Sequence, residues 1–487
     1  MKKHLFSIIV LLLLPIPLWG ATISVCSSGC NYTSIQSAYN TANTGDIVEI
    51  RDSRTYLEAV NMNKSGTSSS PITLRAASGF TPAVSSSGVW VDGAVVISGH
   101  WNVLSGVVIG PVRSGNGVYI TGTHNIVQNC TLKDIDTLEM VAGTSGEGIN
   151  IAGGQYNVVR NNSIGDCAHS CITLMRGSQG ASYNQILNNK IQCNYGHGVS
   201  ILFASTQYNL IEGNDISRIG TYSQSSGKNG IQISGGSNNS IRKNIFHSLY
   251  NRGIEIGAYS ADSSPINNNY VYNNTFYNIP TRSDITGNNA WVKIGTASSG
   301  PYTVRDNKFI NNIVAKVGIQ PTSEWSAGLH GVWLYGHTTE YDAGDTESAV
   351  TATNDWNGNI LKNNCIRVFF NSAYQLNYDS AIYYANAGGG LVLRYSVTGV
   401  NGKGSMSGNT TSDPLFASLD DTQSNWWYLQ SGSPMIDGGI VVNDPNAATG
   451  GWKQLTYGGS RPDIGAFEAS GTASTTISAP RNLRIMQ

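Results

Sequence analysis

Asn125-Ile-Val-Gln-Asn-Cys-Thr-Leu132, Asn157-Val-Val-Arg-Asn-Asn-Ser-Ile164, Asn184-Gln-Ile-Leu-Asn-Asn-Lys-Ile191 and Asn209-Leu-Ile-Glu-Gly-Asn-Asp-Ile216 are four copies of one pattern. Asn stands first, an apolar residue third, Asn (once Cys130) sixth and an apolar residue eighth. Further copies begin at Asn239, Asn269 and Asn359, with weaker ones at Asn102 and Tyr302. In this frame the sixth positions are Asn162, Asn189, Asn214, Asn244, Asn274, Asn307 and Asn364. Starts lie mostly roughly 23 to 33 residues apart, the length of one solenoid coil and too short for a four-stranded propeller blade.

A second motif, x-Gly-φ-x-φ with φ apolar, follows each copy. It reads Asn116-Gly-Val-Tyr-Ile, Glu147-Gly-Ile-Asn-Ile, His197-Gly-Val-Ser-Ile, Asn229-Gly-Ile-Gln-Ile, Arg252-Gly-Ile-Glu-Ile and His330-Gly-Val-Trp-Leu. Looser copies are Ser170-Cys-Ile-Thr-Leu, Ala290-Trp-Val-Lys-Ile and Ser380-Ala-Ile-Tyr-Tyr. Alternation with period two marks short strands with one apolar face. Stacked coils of such strands form an all-β parallel β-helix, with equivalent residues about 4.8 Å apart in ladders. The sixth-position Asn is expected at a bend, where Asn tolerates unusual backbone angles, and its amide can bond to the next Asn along the stack. Ile35, Ala38, Tyr39 and Ala42 recur at helical spacing, so residues 33–43 are predicted to form a short helix capping the first coil.

Composition narrows the function. The 487 residues carry 29 Lys+Arg and 30 Asp+Glu, a net charge of −1. Only 12% are charged, while 40% are hydrophobic and 56 are Gly. This balance argues against a nucleic-acid binder, an acidic disordered chain and a multi-span membrane protein. Lys2 and Lys3, the apolar run Phe6–Leu14 and the small residues Gly20 and Ala21 read as a signal peptide over 1–20, hence a secreted or cell-surface protein. The remaining organisation is a cap with the first coils over 21–75, a β-helix over 76–415 with an irregular coil at 318–358, a closing segment over 416–468, and a linker-like tail over 469–487. The last residues, Ala479 to Ile485, resemble the first strand of a fibronectin-type-III module. Seven Cys suit an oxidising compartment. Cys26 and Cys30 could close a small loop, and Cys167, Cys171 and Cys193 read as bridges or buried thiols rather than zinc ligands.

The opening Tyr32-Thr-Ser-Ile-Gln-Ser-Ala, Gly45-Asp-Ile-Val-Glu-Ile and Pro71-Ile-Thr-Leu-Arg-Ala, with the ending Gly432-Ser-Pro-Met-Ile-Asp and Arg461-Pro-Asp-Ile-Gly-Ala-Phe-Glu, resembles the right-handed parallel β-helix, pectin-lyase-like superfamily. The N-terminal part is similar to chondroitinase-B-like and alginate lyases. The resemblance implies a single-stranded right-handed β-helix, a polysaccharide substrate, and a Lys base, an Arg and a calcium ion on one face. The Ser-x-Lys-Ser and Arg-His segments of those lyases have no counterpart here, so candidate residues come from the ladders.

In x-Gly-φ-x-φ the fourth residue points outward, giving the stripe Tyr119, Asn150, Thr173, Ser200, Gln232, Glu255, Lys293, Trp333 and Tyr383. Lys293 or His330 is the candidate base and Arg252 the candidate neutraliser of a uronate carboxylate, as β-elimination requires, with Glu255 beside them. Trp333 and Tyr383 would offer ring faces, and Gln232 and His197 polar contacts, to a sugar chain. An ordinary solvated sheet face with a surface ion pair is the competing expectation. A glycoside hydrolase needs two carboxyls about 5 to 9.5 Å apart. Glu147 and Glu255 lie too far apart, which leaves turn acids such as Asp166, Asp215, Asp262 or Asp284. Asp166, His169 and His197 form a second polar group. The acids Glu340, Asp342, Asp345 and Glu347 lack the spacing of a calcium loop, so calcium enters only as a candidate cofactor. A monomer engaging an extracellular polysaccharide is the expected assembly, and a non-catalytic glycan-binding protein is the alternative.

Overall fold

In a computed structural model of the chain, the described residues are 20–469 without 87–90, 138–145, 176, 178–179, 221–227, 258–264, 278, 280–288, 296–303, 318–328, 337–357, 370–379, 387–391, 404 and 419–426. The expected signal peptide, the tail, most of the irregular coil and the turn acids Asp262 and Asp284 lie outside the described residues.

Each coil places one strand in each of three long sheets. The first sheet runs from Thr22–Val25 through Ile126–Gln128 to Ile360–Lys362 and has twelve strands. The second runs from Thr55–Leu57 to Cys365–Phe369 and has eleven. The third runs from Val60–Asn61 through Ile254–Ile256 to Ser380–Asn386 and ends on Val392–Ser396 as its twelfth strand. Pairing is parallel throughout these sheets except at that last strand, which turns back antiparallel. Period-two alternation is why: Val127, Val159, Ile186, Ile211, Ile241 and Val271 form one buried column inside the stack.

The Asn ladders are bonded as expected. Asn184 Nδ2 and the Asn184 backbone N–H both donate to Asn209 Oδ1, at 3.2 and 2.9 Å. Asn209 repeats this on Asn239, and Asn239 on Asn269. A parallel row runs Asn162, Asn189, Asn214, Asn244, Asn274, Asn312, Asn364 and Asn409. Every rung is buried, so each amide satisfies backbone groups that water cannot reach.

Two details of the reading are corrected. The unusual backbone angles belong to the residue before each rung, not to the rung: Tyr156, Asn161, Tyr183 and Asn188 all have φ between 53° and 61°. The copy framed from Tyr302 is displaced by five residues. Asn307 is a first-row rung between Asn269 and Asn359, and Phe309, not Val304, pairs with Val271 and Leu361. Val304 instead sits in an extra short strand paired with Ile266–Asn267, an insertion that a fixed spacing cannot anticipate.

The predicted helix is Ile35–Thr41, capped by the Ser34 side chain. Glu58 accepts from the Ser34 hydroxyl and the Ile35 N–H, at 2.7 and 2.9 Å. Buried Tyr39 donates its hydroxyl to Asn102 Oδ1 at 2.7 Å, tying the cap to the first rung. Cys26 and Cys30 are joined in a disulfide.

A column of aromatic rings that the Asn pattern does not itself disclose runs beside the first Asn row. Trp101, His124, Tyr156, Tyr183 and Tyr208 stack with centroids 4.1 to 5.4 Å apart. All five immediately precede a first-row Asn, which is the signal that could have revealed them. At the other end of the chain, the closing segment folds back over the middle coils. Asp444 accepts from Ser240 Oγ and Tyr272 OH, Asn273 Nδ2 donates to Asp463 O, and Asn311 Nδ2 donates to Ile440 O. Ile464 and Ala466 pack there with Ile245, Tyr277 and Ile313.

Candidate functional site

The outer face of the third sheet carries a seam of polar side chains. Its strands hold the fourth-position residues in strict register: Asn150, Thr173, Ser200, Gln232, Glu255, Lys293, Trp333 and Tyr383 each pair with the next. First-position residues reach the same face. Ser170 Oγ lies 3.0 Å from Ser200 Oγ, and Arg252 Nη1 lies 3.0 Å from Glu255 Oε2.

The expected solvated stripe is corrected. Asn150, Thr173, Ser200, Glu255 and Lys293 are buried, as are Asn116, Glu147, Ser170, His197 and Asn229. Gln232 is half-buried and donates to Ser234 Oγ at 2.7 Å. His330, Trp333 and Tyr383 lie in the strands Leu329–Gly336 and Ser380–Asn386, while their side chains are outside the described residues.

Glu255 is the hub. Its Oε1 accepts from Lys293 Nζ at 2.9 Å; its Oε2 accepts from Arg252 Nη1 at 3.0 Å and Asn229 Nδ2 at 2.8 Å. Asn251 Nδ2 donates to Asn229 Oδ1 at 3.0 Å, a contact no motif signalled because Asn251 stands outside the repeat. The Glu255 and Lys293 side chains are only 5% and 8% exposed, so this is not the loose surface pair of the competing expectation. A buried carboxylate between two cations costs several kcal/mol of desolvation per ion unless fully bonded, as this one is.

The Asn229 N–H donates to His197 Nδ1 at 3.0 Å. Burial, then the nearby Lys228 and His169 charges, push His197 down to about 3. His197 is therefore neutral near pH 7, and because Nδ1 accepts the Asn229 N–H its proton sits on Nε2. Burial also pushes Lys228 below the usual lysine range. His169 meets Glu147 rather than the expected Asp166: its Nδ1 lies 3.1 Å from Glu147 Oε1. Asp166 instead accepts from Asn194 at 2.5 Å. The His169 side chain is 44% exposed, so the Glu147–His169 pair sits at the seam's wet edge. Near it Asn116 Oδ1, Glu147 Oε2, Asn150 Oδ1 and Thr173 Oγ1 are buried with no hydrogen-bond partner among the described residues. One half of the seam thus offers fixed cations, the other unsatisfied acceptors. Such perturbed, buried polar groups on an outer face mark functional candidates.

These features define a right-handed parallel β-helix with a polar seam on one sheet. The family model described as right handed beta helix region matches residues 83–222 and 177–289. No curated protein sequence matches this chain. The crystal structure of pectate lyase Pel9A is similar at 17% identity with a TM-score of 0.54, covering 92% of this chain and 96% of that one. An alginate lyase from Paenibacillus sp. str. FPU-7 is 18% identical with a TM-score of 0.47, over 62% of this chain and 95% of the other. A GH136 lacto-N-biosidase from Eubacterium ramulus is 11% identical with a TM-score of 0.44, over 75% and 67%. At these identities the likeness is one of fold. Among the described residues no helix is long and apolar enough to cross a membrane.

Proposed function

We propose that this chain is a secreted monomer that engages a uronate-containing polysaccharide and cleaves it by β-elimination on the outer face of the third sheet. The observation that carries the reading is the convergence of Arg252 and Lys293 on buried Glu255. Abstraction of the proton α to a uronate carboxylate needs that carboxylate neutralised and a base nearby. Arg252 supplies fixed positive charge. Lys293 or His330 supplies the base, and neutral His197 a hydrogen-bond donor. Similarity to the fold of a pectate lyase supports the substrate class. Calcium is a candidate cofactor: the oxygens of Asn116, Glu147 and Asn150 that have no partner among the described residues are hard donors of the kind it takes.

A glycan-binding protein without catalysis is the second reading, favoured by one fact. Glu255 Oε1 already accepts from Lys293 Nζ at 2.9 Å, so the candidate base is engaged in a buried ion pair rather than turned to a substrate. The hydrolase reading loses its strand-face pair, because Glu147 and Glu255 are four strands apart, roughly 19 Å at sheet spacing.

The deciding experiment incubates mature protein with a panel of acidic and neutral polysaccharides, with and without calcium. Ultraviolet absorbance of unsaturated uronate and new reducing ends are followed together. A rise in both, lost in Lys293→Ala or Arg252→Ala, supports the lyase. Reducing ends without absorbance indicate hydrolysis. Binding with neither signal overturns catalysis.

A further inference from the structure

Inside the stack, away from the seam, three thiols meet. The sulfurs of Cys167, Cys171 and Cys193 lie within 4.8 Å of one another and all three residues are fully buried. Among the described residues no His, Asp or Glu joins them.

Their meeting departs from the repeat in three places at once. The second position of x-Gly-φ-x-φ is Gly at 117, 148, 198 and 230 because there is no room for more. A Cβ on Gly148 would sit 2.9 Å from Cys167 Sγ and 2.8 Å from Ile164 Cγ2; one on Gly230 would sit 3.0 Å from Leu249 Cδ1. Cys171 occupies this position with a side chain. The inward row facing these glycines holds Ile135, Ile219 and Leu249, but Cys167 and Cys193 beside Cys171. Two shortened ladder residues make room for one added side chain. All three of these residues are Cys.

Cys130 and Cys365 provide the contrast. Each is buried, and neither belongs to the cluster.

We propose that Cys167, Cys171 and Cys193 form a binding site for one soft monovalent d10 cation, copper(I), in three-coordinate sulfur ligation. Three soft donors without a fourth ligand suit copper(I) better than four-coordinate zinc. Each Cu–S bond that replaces an S–H bond releases that proton to solvent, and no electron changes hands. All three thiols are fully buried, so the metal is taken up as the coils close.

The test refolds the full mature chain anaerobically with one equivalent of copper(I) and a competing copper(I) chelator, after thiol counting shows the trio reduced. The expected result is one copper per chain held against the chelator, thiolate-to-copper charge-transfer absorption, sulfur-only ligation by X-ray absorption, and a raised unfolding midpoint. Cys171→Gly restores the residue of neighbouring coils and should fold while losing the copper; Cys365→Ser should keep it. Copper surrendered to the chelator by the refolded chain overturns the proposal. So does equal retention by Cys171→Gly. A disulfide between two of the three in protein isolated from the oxidising compartment, seen as a mass lower by two hydrogens, also overturns it.

Discussion

Glu255→Gln is the most informative single change, because it removes one charge and almost no volume. In the native chain the carboxylate accepts from Lys293, Arg252 and Asn229. The amide keeps one acceptor oxygen and turns an NH2 group toward donors, so a buried cation loses its counter-charge. Breaking a buried ion pair typically costs about 3–5 kcal/mol. The Arg252 side chain is 15% exposed and can recover some hydration, which places the expectation at about 3 kcal/mol. Hydrogen exchange of the amides in Ile254–Ile256 measures it locally, which matters because long repeat stacks need not unfold in one step. Adding Lys293→Met removes the cation left without a partner. The double variant should recover at least about 1.5 kcal/mol relative to additivity. A Glu255→Gln chain within about 0.5 kcal/mol of wild type would refute the hub, and so would strict additivity.

Three further outcomes are expected. Asn214→Leu takes the acceptor from the Asn189 N–H and one donor each from Ile186 O and Asn244 Oδ1, while Asn244 Oδ1 keeps the residue-214 N–H and Asn189 Nδ2 keeps Val159 O. At about 1–3 kcal/mol for a buried unsatisfied group, urea denaturation should show a loss of about that size. His197, held near 3 against an ordinary value of about 6.5, contributes stability that is complete above pH 6.5 and is lost as pH falls toward 3. The slope approaches about 1.4 kcal/mol per pH unit, and His197→Asn should flatten the profile between pH 6 and 4 relative to wild type. Asp444→Ala removes acceptors for Ser240 and Tyr272 and for the Asn446 N–H. It should cost about 2–4 kcal/mol and open residues 441–456 to limited proteolysis.

The fold was legible because the ladders are periodic and chemically singular. An Asn at fixed offsets from two inward apolar residues has few structural explanations. The insertion at Val304 was not legible, since one irregular coil mimics a shifted copy of the pattern. The site was legible in part. Register alone put Glu255 beside Lys293, and spacing put Arg252 on the same face. What sequence could not supply was burial: outward-pointing residues of a strand are ordinarily wet, and here they are enclosed. Nor could it supply the Glu147–His169 contact or Asn251, because both depend on how the backbone bends between the sheets.

The folded-back closing segment changes how the molecule would respond to tension. A plain stack of coils peels from either end, one coil after another. Here residues 437–466 are fastened to Ser240, Tyr272, Asn273, Thr275 and Asn311, near the middle of the chain. Force applied to the last residues loads that fastening sideways before the last coils can unwind. Force applied at Thr22 meets instead the strand pairing of the early coils and the bond from Tyr39 to Asn102. In a single-molecule pulling experiment, the two ends should therefore yield different force traces from one repetitive scaffold.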